Sequence, residues 1–345
     1  MSLTFINDPH IGAVRSAGTT PATAYQLRLD LLSQVEELLY TIDTDLCIGG
    51  DLFDGPDISK QDLLRTYQIL DAWLVRTGKS LYLMNGNHDL SKNSTNFSSF
   101  QFLAALLNGE GMYAGTVYHI TEGTMTPHGY MLPHVVNQEQ FDVELSKVPE
   151  CDYLFVHCNY DNEFAVESDH SLNLSRAQAE ACPARQIVFA HEHQGREALG
   201  GKVIIVGNQF PSSVSDCLGN STKHLLQIVD AGPTRVSRLH PTWQAEGDYS
   251  EQDWRELVDT GRFIRVVGEA AASEAGAVTT AISRFRAAAS ALVITNAVKI
   301  AGIDDAEQLA LSHEEVTAFS VRDALRPLLT DEENNKIDKL REQNA

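Results

Sequence analysis

Five short apolar runs, each closing on a carboxylate, amide or imidazole, constrain this 345-residue chain more than any other feature. Residues 3–6 lead into Asp8 and His10, residues 46–48 into Gly50, Asp51 and Asp54 as GDLFD, and residues 80–84 into Gly86, Asn87, His88 and Asp89 as GNHD. Residues 153–156 lead into His157, and residues 187–189 into Ala190 and then His191 and His193 as HEH. Each run has the length and composition of a strand, and 203–206 reads as another. Between them, 25–40 and 61–74 carry Leu, Ile and Val at helical spacing, so each reads as a helix packed on a sheet. The alternation predicts an α/β layer architecture.

In an open α/β sheet, ligands bind beyond the carboxyl ends of the strands. Five strands that end in ligand-type residues therefore point to one pocket, and five of the twelve histidines fall inside it. Gly50 and Gly86 suit a chain that turns sharply on leaving the sheet and keeps its backbone close to bound ions. Nitrogen and oxygen donors without thiolate suit Mn, Fe, Zn or another first-row divalent ion. The cysteines, Cys47, Cys151, Cys158, Cys182 and Cys217, are scattered without CxxC spacing and read as reduced thiols. No secretory pattern precedes 3–6, and no run approaches the roughly 18 apolar residues of a membrane span, so the expectation is a cytoplasmic chain.

Charge pulls the other way from one class of substrate. With 47 acidic and 26 basic residues the chain carries −21, unlike a protein that grips nucleic acid over its whole surface. Metal ions and a basic partner can still supply positive charge locally.

Toward the C-terminus, 225–229 and 235–239 read as strands about a DAGP turn, and 243–249 becomes polar and loop-like. Beyond it, a strand at 263–267, a helix at 275–289 and a strand at 292–300 make a small β-α-β unit. Residues 314–343 are charged and helical in pattern, interrupted at Pro327. The expected division is a catalytic domain at 1–240, a small domain at 241–312 and a helical tail at 313–345.

The order D-x-H, G-D-x-x-D, G-N-H-D, a later H and H-x-H, spanning Asp8 to His193, resembles the calcineurin-like metallophosphoesterase superfamily. One departure is Ala190, where that family usually has glycine. The resemblance implies a four-layer α/β/β/α sandwich of two mixed sheets flanked by helices. It also implies that Asp8, His10 and His193 hold one metal ion, that Asn87, His157 and His191 hold a second, and that Asp51 bridges both. Two ions about 3.5–4 Å apart make a shared hydroxide the nucleophile. His88 would then protonate the leaving oxygen, with Asp89 orienting its ring. Asp54 is expected to support its loop by hydrogen bonds, with contact to a metal-ligating side chain as the alternative, and His119, His128, His134, His170 and His313, which lie in no motif, to be solvated or locally bonded.

Within the superfamily, GDLFD, GNHD, the segment GNQFPSSVSD at 207–216 and a closing hairpin over 223–239 are similar to SbcD-type DNA repair nucleases. That likeness implies a DNA exo- and endonuclease using Mn first, with Mg, Fe or Zn as alternatives, and a capping-like α+β domain; Arg262, Arg265, Arg284, Arg286 and Lys299 concentrate positive charge there, which fits contact with DNA phosphates and a solvated surface equally. It further implies a homodimer, residence in a bacterial cytoplasm, or a host's if the chain is phage-encoded, and a tail that docks on an SMC-like ATPase of the SbcC type, although 314–343 fits equally a helix packed on its own domain. The acidic surface favours a different substrate class on the same site: a phosphoprotein, a nucleotide or a cyclic nucleotide. A non-catalytic scaffold fits poorly, because every ligand and His88 are present.

Overall fold

The computed structural model describes residues 2–13, 21–91, 96–109, 113–162, 171–210, 222–229, 232–239, 244–248, 263–288, 293–296 and 298–301. Its layers follow from the alternation of side chains along each strand. In β1 (Leu3–Ile6), Leu3 and Phe5 face one way and Ile6 the other. In β2 (Asp45–Ile48), Cys47 opposes Leu46 and Ile48, and in β3 (Leu81–Met84), Tyr82 and Met84 oppose Leu81 and Leu83. Strands that are apolar on both faces must be covered on both.

β4 (Val117–Ile120) continues that sheet, and β5 (Thr124–Thr126), β6 (Gly129–Leu132) and β7 (Tyr153–His157) begin a second. After a short ladder of β8 (Asn159–Tyr160) with β9 (Asn173–Leu174), the second sheet gains β10 (Gln186–Ala190), β11 (Arg196–Ala198) and β12 (Val203–Ile205). The hairpin β13 (Thr222–Val229) and β14 (Gly232–Leu239) then returns to the first. The orders are β14-β13-β1-β2-β3-β4 and β11-β12-β10-β7-β6-β5. Both are mixed: β1 to β4 are parallel, as are β12, β10, β7 and β6, and the antiparallel strands lie at the rims.

Between the sheets Phe5, Tyr82 and Met84 meet Met131, Phe155, Val188 and Ile204, with the Phe5 and Phe155 rings stacked at 5.5 Å. Full burial of each large apolar side chain stabilises by about 1.5–3 kcal/mol. The outer face of the first sheet is covered by α1 (Pro21–Thr41), α2 (Lys60–Thr77) and α3 (Ser99–Leu107). That of the second packs against Phe141 of α4 (Gln138–Leu145) and Ala179 of α5 (Arg176–Ala181). The result is a four-layer α/β/β/α sandwich.

The helix ends have identifiable causes. Ser59 caps α2 by accepting from the Asp62 amide, Gly78 closes it at φ 62°, and Ile69, Leu70, Trp73 and Leu74 form its buried stripe. From α2, Arg76 donates to the Leu39 and Ile42 carbonyls and Trp73 donates to that of Ile42, satisfying the end of α1. Ser98 with Gln101 and Ser175 with Gln178 make capping boxes at α3 and α5.

The later segment departs from expectation in two places. The polar stretch expected to be loop holds β15 (Gln244–Asp248), which pairs in parallel with β16 (Phe263–Val267) through backbone hydrogen bonds that composition does not reveal. After β17 (Glu269–Ala271) and α6 (Ala275–Ala288), the single strand expected over 292–300 is two: β18 (Val293–Asn296), parallel to β16, and β19 (Lys299–Ala301), paired with β17. The Asn296 side chain accepts from the Val298 amide at the break between them.

The chain divides into one unit of Met1–Gly268 with Gly276–Lys299 and another of Glu269–Ala275 with Ile300–Ala345. The expected boundaries at 240/241 and 312/313, Arg262 and the tail at 313–345 lie outside the described residues.

Candidate metal centre

The loops after β1 and β2 are tied together by their backbones. The Asp8, His10 and Ile11 amides donate to the carbonyls of Gly50, Asp51 and Leu52 at 3.1, 3.0 and 2.9 Å. Asp8, His10 and Asp51 take φ of 52°, 46° and 49°, and His191 takes 78°. Left-handed backbone at a non-glycine residue is uncommon and costs of order 1–3 kcal/mol. Four such residues in one place mark a spot where packing dictates where side chains are aimed.

Two glycines make the convergence sterically feasible, and Gly50, at φ 109°, makes the sharp turn expected of it. A Cβ on Gly86 would lie 2.0 Å from Asp51 Oδ1, and one on Gly50 would lie 2.3 Å from His157 Nδ1. The vacant space is filled by ligand-type side chains from neighbouring loops.

The five strands divide between the two sheets that the resemblance implied, so the pocket straddles the sandwich: β1, β2 and β3 contribute from one sheet, β7 and β10 from the other. Three overlapping groups offer donor atoms within 4.8 Å of one another: Asp8, His10 and His193; His10, Asp51 and His88; and Asp51, His157 and His191. His10 Nε2 is 3.1 Å from His193 Nε2 and 4.0 Å from Asp51 Oδ2. His157 Nε2 is 3.5 Å from Asp51 Oδ2 and 3.0 Å from Asn87 Oδ1, which brings the amide of GNHD into the cluster.

Backbone carbonyls set two of the ring tautomers. His157 Nδ1–H donates to Gly49 O and His88 Nδ1–H to Asp54 O, each at 2.8 Å, so a neutral ring turns its Nε2 lone pair inward. His10 Nδ1 lies 3.3 Å from Asp54 Oδ1, an ion-pair distance outside hydrogen-bond alignment. Glu192, between His191 and His193, turns away, accepting from the Tyr160 amide and pairing with Arg196.

Asp89 does not orient His88. Its carboxylate is fully buried and accepts from the amides of Gly86 at 2.9 Å and Phe53 at 3.2 Å, holding the GNHD loop to the GDLFD loop. Burial, with the charge of Asp51, raises it to about 7 against those two donors. Burial alone would raise Asp51 as well, but His157, by charge and hydrogen bond, together with His10 and His88, holds it far below the ordinary carboxylate range. Burial opposes charging His157, yet Asp51, Asp8 and the Gly49 carbonyl raise it to about 9.

The residues fit divalent metal. Asp8 Oδ1 is buried with no hydrogen-bond partner among the described residues, and leaving such an atom uncompensated costs about 1–3 kcal/mol or more. Two imidazole nitrogens facing each other at 3.1 Å likewise call for a cation or proton between them. The donors are imidazole, carboxylate and amide, without thiolate.

No protein-family model and no curated protein matches the chain. Among solved structures it is similar to a conserved uncharacterized protein, described as a predicted phosphoesterase, from Streptococcus pneumoniae TIGR4. The TM-score is 0.27 at 10% identity, over 69% of this chain and 97% of that one. So loose an overlap bears no weight on function.

Several residues near the centre carry no motif. His134 packs its ring against His157 at 6.2 Å, and burial followed by the charge of His157 lowers it to about 3. Like the ligands it follows an apolar run, 129–132, which is the signal that could have found it. Asn7, Gln209, Asn208 and Lys223 are also buried here, with Lys223 Nζ donating to Asn208 Oδ1 at 2.8 Å. His119 and His128 are locally bonded, to Asn85 and Asp45, as expected; His170 and His313 lie outside the described residues.

Proposed function

We propose that the chain is a dinuclear metal-dependent phosphodiesterase acting as a DNA exo- and endonuclease of the SbcD type. The observation that carries this reading is the place of Asp51, which belongs to two ligand groups and lies between the His10–His193 pair and the His157–His191 pair. Asp8, His10 and His193 would hold the first ion, Asn87, His157 and His191 the second, and Asp51 both. Mn is the first choice, with Mg, Fe or Zn as alternatives. When bound, two such ions supply an activated water and neutralise charge on the phosphoryl oxygens.

The remaining work falls to the protein. The His88 ring stands edge-on to His10 at 4.9 Å, and its Nδ1–H is committed to the Asp54 carbonyl. Nε2 can therefore give a proton only from the doubly protonated ring, which suits a general acid that protonates the departing oxygen.

DNA as substrate is supported by the forms GDLFD and GNHD and by the hairpin β13–β14 after the last ligands. An SbcC-type ATPase docking on the tail, a homodimer and a cytoplasmic location belong to the same proposal. Among the described residues no helix is long and apolar enough to cross a membrane. The net charge of −21 favours the second reading, a nucleotide, cyclic-nucleotide or phosphoprotein substrate on the same centre.

The test is hydrolysis of linear double-stranded DNA with Mn²⁺, against Mg²⁺ and EDTA, with bis-p-nitrophenyl phosphate in parallel. Manganese-dependent DNA degradation is the expected result. Cleavage of the small diester with DNA untouched would replace the nuclease by the second reading.

A further inference from the structure

Asp8 spends both of its side-chain hydrogen bonds on one oxygen. Oδ2 accepts from Asn7 Nδ2 and, at 3.0 Å, from the His191 amide, while Oδ1 is buried with no hydrogen-bond partner among the described residues. We propose that Asn7 and Gln209 are positioning residues that enforce this division, reserving Oδ1 for the first ion and so setting the affinity of that site independently of the second. The inference rests on the two-ion reading above.

The orientation of each amide is dictated by the next. Gln209, fully buried, has three carbonyl-type oxygens around its Nε2: His224 O at 2.8 Å, Gly207 O at 2.9 Å and Asn7 Oδ1 at 3.3 Å. Its Oε1 accepts from the Asn7 backbone amide at 2.7 Å. A flipped Gln209 would set its own oxygen against three others and its NH₂ against an N–H, so only one orientation is satisfied. That orientation draws Asn7 Oδ1 toward Gln209, which turns Asn7 Nδ2 toward Asp8. An Asn7 turned the other way would set its oxygen against the carboxylate.

A donor on Oδ2 thus originates in the backbone of β13, passes through two buried amides and ends on a ligand carried by the loop after β1. Neither amide touches the second group of ligands in any described contact. Groups that orient a metal ligand typically change metal affinity by about 10- to 100-fold when removed.

The experiment is a Mn²⁺ titration of the full chain by calorimetry, in wild type, Asn7→Leu and Gln209→Met, alone and combined with Asp8→Asn, with a thermal melt of each. The expected result is two ions bound by wild type, one of them weakened about 10- to 100-fold in Asn7→Leu and the other within about twofold. The Asn7→Leu effect should vanish in the Asp8→Asn background. If Asn7→Leu does not fold, Gln209→Met, which removes the restraint on Asn7 together with the bonds to Gly207 O and His224 O and leaves the Asn7 side chain in place, is read in its stead. Two ions bound unchanged in the variants would overturn the inference and leave the two-ion reading intact. Equal weakening of both ions, or unfolding of both variants, would overturn it by making the amides a device of the fold alone. A wild-type chain that binds no Mn²⁺ would remove the two-ion reading itself.

Discussion

His88 Nδ1 donates to the main-chain carbonyl of Asp54 at 2.8 Å, so the loop of GDLFD, and not the neighbouring Asp89, sets the ring's tautomer. Because the acceptor is backbone, no substitution of the Asp54 side chain removes it, and the contributions of Asp54 to His88 and to His10 can be separated.

His88→Ala should therefore lower kcat by about 10²- to 10⁴-fold while metal content, measured by mass spectrometry, stays at the wild-type level. Loss of an ion instead would make His88 a ligand, as its grouping with His10 and Asp51 allows.

Asp54→Ala removes a carboxylate 3.3 Å from His10 Nδ1 and keeps the carbonyl that holds His88. Metal affinity should fall by about tenfold with kcat at saturating Mn²⁺ largely retained. A fall in kcat with unchanged affinity would contradict this split.

Asp89→Ala leaves the buried amides of Gly86 and Phe53 without their acceptor. A cost of about 1–3 kcal/mol for each unpaired group predicts a clearly lower urea midpoint. A wild-type midpoint would mean that the two loops are held by other contacts.

Gly86→Ala places a Cβ 2.0 Å from Asp51 Oδ1, whereas Gly55→Ala meets nothing within 4 Å. The first should lose Mn²⁺ binding in a folded chain and the second should keep it, both read by calorimetry. Equal binding by the two would show that Asp51 does not need that space.

Ions that bind the folded chain alone should stabilise it, by about 2.7 kcal/mol at 100 times the dissociation constant. A thermal midpoint that rises with Mn²⁺ and falls back with EDTA is the expected result, and indifference to both would count against a metal centre.

Much of the centre was legible because ligand chemistry is local: Asp8, His10, Asp51, Asn87, His88, His157, His191 and His193 each follow an apolar run, and the structure brings all of them together. Helices α1 and α2 were legible from their apolar spacing, within a few residues of their ends. Strand β15 was not, since Gln244, Glu246 and Asp248 give no apolar signal and its pairing with β16 is made by backbone groups that every residue carries.

By itself, the sequence determined which residues can bind metal and that they end strands, because donor chemistry and hydrophobic patterning are properties of each segment alone. Only the tertiary structure decided which of those strands go to each of the two sheets, that Asp89 bonds to the two loops and not to His88, and that Asn7 and Gln209 form a buried hydrogen-bonded chain onto Asp8. Those relationships join positions as far as 202 residues apart, where strand pairing and buried hydrogen bonds are settled by packing, not by neighbours along the chain.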